Sequence, residues 1–312
     1  MDVPLDGDAM TAVAGTAADE RVPRLIGECE RVLQGCMDDY PGLFPAKPFH
    51  DGFARKVAVP NAVSSPHAAV GDLRVVLRES MWNFAIDYLI DTCARSGSEV
   101  AFLVRQSMAL ADGTEAPPAP AGLDMPVDQL ARFLVEIRDD LAAVPGFRLH
   151  GGIWRTQLER WLTCQAVEFG WKRDLAEGRP PPTFADYLNN ADNFGTTWVN
   201  LGHWLFVGDQ ATFAHLDELW AASQRVQQVL RLLNDRITLR RDREWGALGD
   251  LNALMLVDRD IVDERIGDLT REAQGLLADL REPCPTEAFY LKRQLEFSAA
   301  FYAGEDYWGP LT

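Results

Sequence analysis

The sequence predicts an all-α fold, and three observations carry that expectation. Beyond Val22, most stretches place apolar residues three or four apart, the period that gives a helix one buried face. Period-two alternation, which a half-buried strand needs, is scarce. Short Pro- and Gly-rich signals separate the periodic stretches, as helix–helix connections require.

Residues 1–22 are small and acidic and read as a flexible tail, which leaves 23–312 as a single helical domain. "RLIGECERVLQGCMDD" has apolar residues at helical spacing, and Pro41, Pro45 and Pro48 interrupt the chain beyond it. The run "AAVGDLRVVLRESMWNFAIDYLIDTCARSG" reads as one long apolar helix ending near Gly97. Prolines and glycines make "ADGTEAPPAPAGLDMP", residues 111–126, a loop. Helices are then expected at about 127–143, 152–174, 183–203, 211–243, 259–281 and 286–303. "VPGFRLHGG", "EGRPPP", "FVGDQ" and "REPCP" supply turns between them. No internal repeat or low-complexity linker divides the chain. Nine tryptophans point to a core built on large rings.

With 47% apolar and 25% charged residues, the chain of 312 has an ordinary soluble composition and the length for a sizeable core. Its net charge of −17 argues against nucleic acid or an anionic membrane as partner, since both are bound through basic patches. There is no apolar run of about eighteen residues, so no membrane span is expected. The N-terminus lacks the basic and apolar regions of a secretory signal, which places the protein in the cytoplasm. Five cysteines, odd in number and in no CxxC pair, read as free buried thiols. Five scattered histidines suggest no histidine metal site.

Two polar stripes interrupt the helical pattern. In "FAIDYLID", Asp87 and Asp91 lie four apart on one helix face, where like charges repel. Burying them unpaired would cost far more, so they need water, a counter-charge such as Arg95, or a ligand between them. In "RLLNDRITLRRD", Asn234, Thr238 and Asp242 recur every four residues, with Arg231 three positions before and Arg241 beside the last. A surface helix with local pairs, such as Asp235 with nearby arginines, is the plain reading of this second stripe. Two such stripes facing each other also suit Mg²⁺, which takes about six oxygens and usually leaves several to water or substrate phosphate. The arginines would hydrogen-bond phosphate oxygens.

These residues resemble the class I terpene synthases, which carry DDxxD on one helix and (N/D)Dxx(S/T/G)xxx(E/D) on a facing one. "NDRITLRRD" fits the second pattern, and "GDLNAL" (249–254) resembles the G-x-x-N segment that commonly follows. The resemblance implies an isoprenoid-synthase helical bundle, three Mg²⁺ ions held by Asp87, Asp91, Asn234, Thr238 and Asp242, and diphosphate contacts from Arg231 and Arg241. "PTFADYLNNADNFG", residues 182–195, is similar to the PTxxEYLxNAxxSxG stretch of diterpene synthases related to ent-kaurene synthase, where the helix breaks beside the reacting carbons. Those enzymes act on bicyclic labdane diphosphates. Tyr88 departs from the pattern where a second Asp is usual, and Asp306 precedes Tyr307 where many bacterial members have Arg. No DxDD motif is present, so a separate class II cyclase would supply a copalyl-type substrate. A homodimer is also implied.

The expected activity is therefore Mg²⁺-dependent loss of diphosphate, with the carbocation guided to a diterpene hydrocarbon or alcohol. Linear geranylgeranyl or farnesyl diphosphate is the alternative substrate. A chain-elongating or head-to-head condensing enzyme would need a second aspartate-rich motif, which "NDRITLRRD" is not. A non-catalytic helical lipid-binding or scaffold protein would leave both stripes solvated. Trp82, Phe84, Phe194, Trp198, Trp204, Tyr307 and Trp308 are candidates for the pocket, where ring faces attract cations, and equally for plain core. Asn190 would orient water or cation there, or brace a helix break. The C-terminal "GEDYWGPLT" is a candidate lid.

Overall fold

A computed structural model describes residues 21–245 and 250–308. Within them the regular structure is helical throughout, with no strand. The order is α1 (Arg21–Asp39), α2 (Phe53–Ser64), α3 (Arg74–Tyr88), α4 (Gly97–Ala111), α5 (Val127–Ala142), α6 (Pro145–Ala176), α7 (Phe184–Asn189) and α8 (Thr196–Val207). There follow α9 (Gln210–Ala214), α10 (Leu216–Trp245), α11 (Arg259–Leu280) and α12 (Pro285–Phe301). No helix of the described residues is long and apolar enough to cross a membrane.

The strongest sequence signals gave the right elements. α1, α5 and α11 bury one stripe each and turn their charges outward. Arg21 and Val22 belong to α1, so the helix starts inside the stretch expected as tail; residues 1–20 lie outside the described residues. α2 and α4 add to the expected elements. α2 is buried on nearly all sides and carries Pro60 in its interior, so neither a polar face nor an uninterrupted backbone pattern marks it. The long helix expected from Ala68 to Gly97 is shorter: residues 68–73 make turns, α3 begins at Arg74, and its end opens into a π turn over Leu89–Cys93. There the Ala94 amide reaches back to the Leu89 carbonyl at 2.8 Å, which adds a residue to the last turn and resets the direction of Asp91.

The helix expected over 183–203 is broken. Thr183 caps α7, a 3₁₀ turn covers Ala191–Phe194, and α8 starts after Gly195. Gly195 has φ +76°, a left-handed conformation open to glycine, and a Cβ there would run into the Asn83 side chain of α3. α8 itself is buried from Thr197 to Leu205 and lies against α3, α6 and α10 at the centre of the bundle. Beside it four rings meet: Trp198 lies 5.0–5.5 Å, centroid to centroid, from Trp161, Trp154 and Trp82. Each of the other three indoles donates its N–H, Trp82 to the Leu130 carbonyl, Trp161 to the Asn193 carbonyl and Trp154 to Glu79 Oε1 at 2.7 Å. Glu79 is fully buried, and burial pushes its carboxyl well above the usual range, so it packs as a neutral acid against Gly202.

Candidate functional site

One deep cavity opens between α2, α3, α6, α10 and α12, with the α7–α8 break at its side. Asp87 and Asp91 reach it from the end of α3 and the π turn, and Asn234 and Arg231 from α10 opposite. Carbon faces come from Val57, Phe84, Phe194, Val199, Tyr307 and Trp308.

The two aspartates meet different partners. Asp87 Oδ1 accepts from Gln165 Nε2 at 2.9 Å, and burial, with the nearby Asp250 charge, raises its pKa to about 7. Asp91 pairs with Lys172 Nζ at 3.0 Å, so the counter-charge comes from α6 and not from Arg95, which is exposed. Asp250, on the segment after α10, lies 3.8 Å from the same ammonium and hydrogen-bonds Asp91. Burial drives Asp91 far up despite Lys172. Asp250 stays low because Lys172 and the Asp91 hydrogen bond outweigh its burial. Physically, two touching carboxylates share one proton until a further cation arrives.

On α10 the stripe is buried, which removes the reading of a solvated helix face. Asn234 borders the cavity and hydrogen-bonds the Tyr302 hydroxyl. One and two turns on, Thr238 Oγ1 donates to Asp242 Oδ2 at 2.7 Å, and Asn252 Nδ2 donates to that same oxygen at 3.0 Å. Burial and then Asp250 raise Asp242 to about 6. Asp235 does not pair with surface arginines: it accepts from the Tyr187 hydroxyl at 2.8 Å and the Ala253 amide at 3.2 Å. Arg241 Nη1 meets Asp306 at 2.5 Å, and its Nη2 lies 3.4 Å from Asp242. Lys56 donates to the Asp306 carbonyl at 2.8 Å.

Arg231 is enclosed. Its Nη2 bonds Glu168 at 2.7 Å, its Nη1 bonds the Asn190 carbonyl at 3.1 Å and the Asn193 carboxamide, and its guanidinium lies 3.9 Å from the Tyr187 ring centre. Tyr88, at the position of the usual second aspartate, turns from the cavity to Phe49 and hydrogen-bonds Cys93. Trp82 and Trp198 stand behind the wall in the indole cluster, Trp204 is buried on α8, and none of the three borders the cavity. Asn190 donates to the Cys164 carbonyl at 2.9 Å, bracing the break. Tyr307 and Trp308 lean on Phe84 and cover the mouth; of the "GEDYWGPLT" segment, 309–312 lie outside the described residues, as does Gly249 of "GDLNAL".

The site also uses Gln165, Glu168, Lys172, Asp250 and Tyr302, of which Lys172 supports Asp91 without bordering the cavity; the two stripes did not reveal them. The first three recur at three- and four-residue spacing on α6, interrupting its apolar pattern, and that was their signal. Asp250 had none, because only the fold brings its loop to α3.

The donors at the rim are Asp87, Asp91, Asp250 and Asn234, all oxygen, which suits a hard cation such as Mg²⁺. Among the described residues no three acidic, His or Cys side chains converge closely enough to hold a metal alone. An ion here therefore needs oxygens from a ligand, the usual situation for Mg²⁺ beside phosphates.

No protein-family model matches the chain. Over 283 residues it is 24% identical to ent-pimara-9(11),15-diene synthase of Streptomyces sp. strain KO-3988, covering 89% of this chain and 90% of that protein. Its structure is similar to 2-methylisoborneol synthase of Streptomyces coelicolor A3(2), solved with Mg²⁺ and 2-fluoroneryl diphosphate, at a TM-score of 0.67 and 17% identity, covering 92% and 93% of the two chains. Germacradien-4-ol synthase from Streptomyces citricolor is also similar, at a TM-score of 0.54 and 18% identity over 89% and 93%. The all-α bundle is thus the class I terpene synthase fold, as the motifs implied.

Proposed function

We propose that the chain is a terpene synthase that releases diphosphate from a diterpene precursor, a copalyl-type bicyclic diphosphate, and closes or rearranges the carbon skeleton. One observation carries the reading: a carboxylate-bearing rod and an amide-bearing rod face each other across a cavity that Phe84, Phe194, Val199, Tyr307 and Trp308 line with ring and aliphatic carbon. The diterpene product in the relative's name and the "PTFADYLNNADNFG" stretch support a twenty-carbon substrate.

Asp87, Asp91 and Asn234, which border the cavity, would hold Mg²⁺, and the resemblance adds three ions with Thr238 and Asp242, which continue the α10 stripe beyond the cavity lining. Bound Mg²⁺ supplies Lewis-acid neutralisation of the charge that grows on the leaving oxygens. By the resemblance Arg241, here paired with Asp306, would hydrogen-bond the leaving group, and Arg231, fixed by Glu168, presents positive charge from the wall. Phe84, Phe194, Tyr307 and Trp308 exclude water, and their ring faces attract a passing cation by roughly 0.5–2 kcal/mol each. Tyr88 is compatible with this arrangement because its position does not border the cavity.

The test is incubation of the purified protein with Mg²⁺ and either a copalyl-type or a geranylgeranyl diphosphate, reading released diphosphate and the organic extract. Asp91→Ala and Asn234→Ala each abolish release while far-UV circular dichroism stays unchanged. Release at the wild-type rate from either folded variant overturns the metal assignment, and preference for the linear ester overturns the bicyclic substrate.

A further inference from the structure

A third polar stripe, on α12, plays no part in ionisation. Tyr290, Gln294 and Ser298 recur every four residues, and they are the side chains that α12 turns toward the cavity. Tyr302, one further step along, continues the line to Asn234 at the mouth. The neighbouring walls bring carbon, Val57 and Pro60 from α2, Phe84 from α3 and Val199 from α8, together with polar groups largely spent on backbone, such as Ser80 on the Val76 carbonyl at 2.7 Å and Asn83 on the Phe194 carbonyl at 3.3 Å. Leucine or valine at the α12 positions would border a hydrocarbon with no desolvation cost, whereas hydroxyls and amides there need partners.

The partners are only half supplied by protein. Gln294 and Asn200 exchange two amide hydrogen bonds, at 2.9 and 3.1 Å, and Asn200 is held from behind by Ser223 at 2.9 Å. That bracing aims the remaining Gln294 donor at Tyr290 Oη, 3.2 Å away. Since Oη accepts there, the Tyr290 hydrogen has to be given to something else, and the cavity is the space that residue borders. From α2, Asn61 borders it too; its amide nitrogen is spent on the Val57 carbonyl at 2.9 Å, which leaves the carboxamide oxygen as an acceptor. A water needs two to four such partners.

We propose that this wall seats a water molecule that captures the final carbocation, so that the product is an alcohol and not the hydrocarbon that loss of a proton would give. The proposal rests on the diphosphate-releasing activity argued above. An oxygen lone pair of the water forms the new C–O bond to the cationic carbon. The resulting oxonium loses one proton, taken by the diphosphate freed in the first step, so ester plus water gives alcohol plus protonated diphosphate. No protein side chain at this end of the cavity is a base for deprotonation to an alkene. Tyr290, Gln294, Ser298 and Asn61 are neutral, and Glu79, the carboxyl behind them, is packed against Gly202 and does not border the cavity. The chain would thereby differ from its relative, whose name is that of a diene.

The experiment is a wild-type reaction with Mg²⁺ and the accepted diphosphate in ¹⁸O-enriched water, followed by mass analysis of the extract. The main product is expected to be an alcohol carrying the heavy oxygen. Tyr290→Phe and Ser298→Ala are each expected to lower the alcohol-to-alkene ratio roughly fivefold, the effect of one hydrogen bond. That ratio is internal to the products formed and so is independent of how much enzyme is folded. Diphosphate release with a purely hydrocarbon extract, or an alcohol fraction indifferent to both substitutions, overturns the proposal while leaving the ionising activity intact. Failure to release diphosphate from any prenyl ester instead removes the activity on which it rests.

Discussion

Replacing Arg231 with Met removes one half of a buried ion pair and strands the other. Glu168 keeps the Asn193 side chain but loses the guanidinium 2.7 Å away, in a setting where both residues are under 5% exposed. Breaking such a pair costs about 3–5 kcal/mol. Burial already raises the Glu168 pKa against the pull of Arg231, so removing that pull raises it further and makes the ionised carboxylate harder to keep in the folded chain.

The sign of the pH dependence is set by the same shift. A carboxyl whose folded pKa is raised is best tolerated below its unfolded pKa, and stability is lost as pH climbs toward the folded value. The deficit of Arg231→Met is therefore expected to be smaller at pH 5 than at pH 7. Urea unfolding of wild type and Arg231→Met, followed by far-UV circular dichroism at pH 7 and pH 5, measures the deficit at each. Adding Glu168→Gln to Arg231→Met should recover stability at pH 7. A deficit that is equal at the two pH values, or absent at both, would show that Glu168 is not the buried partner assigned to Arg231.

Two further outcomes are expected. Gly202→Ala pushes a methyl into the Glu79 carboxyl and its hydrogen bond to Trp154, so it should destabilise by about 1–3 kcal/mol in urea titration, and a neutral result would displace Glu79 from that contact. His203 is buried and its pKa is lowered to about 4 by burial, so the unfolded chain protonates first as pH drops below about 6.5; wild type should lose about 2 kcal/mol between pH 7 and 5 that His203→Phe does not, and parallel urea curves would refute it.

How much of the fold was legible in the sequence depended on whether a helix has a wet side. α1, α5 and α11 alternate carbon and charge at the helical period because one face meets water, so their boundaries were close. α8 is buried all round and α2 nearly so, which erases the period and leaves only local chemistry, and in α2 Pro60 argues against the helix that forms. The π turn after Tyr88 could not be read at all, since no side chain in "LIDTC" demands it; it is a tertiary adjustment where α3 ends beside the cavity.

The same logic explains which site residues were found. A helix that borders a closed cavity can keep polar groups on that side only by repeating them every three or four residues. The stripes here show that spacing: Asp87 and Asp91; Asn234, with Thr238 and Asp242 continuing it beyond the cavity lining; and Tyr290, Gln294 and Ser298. The first two announce themselves because ionisable groups inside an apolar run are costly and so conspicuous. The third does not, because a tyrosine, a glutamine and a serine raise no alarm on a helix that also carries Lys292, Arg293 and Glu296 on its outer side. Asp250 lies beyond any periodic argument, and the spacing of Lys172 with Gln165 and Glu168 on α6 does not say that it reaches Asp91, since both come from elements remote in sequence. Yet the charge balance demanded Lys172. Asp91 sits 15% exposed with one side chain of opposite sign against it, and a carboxylate so placed is tenable only with a cation at hand, whether the ammonium of Lys172 or an ion brought in with a phosphate ester.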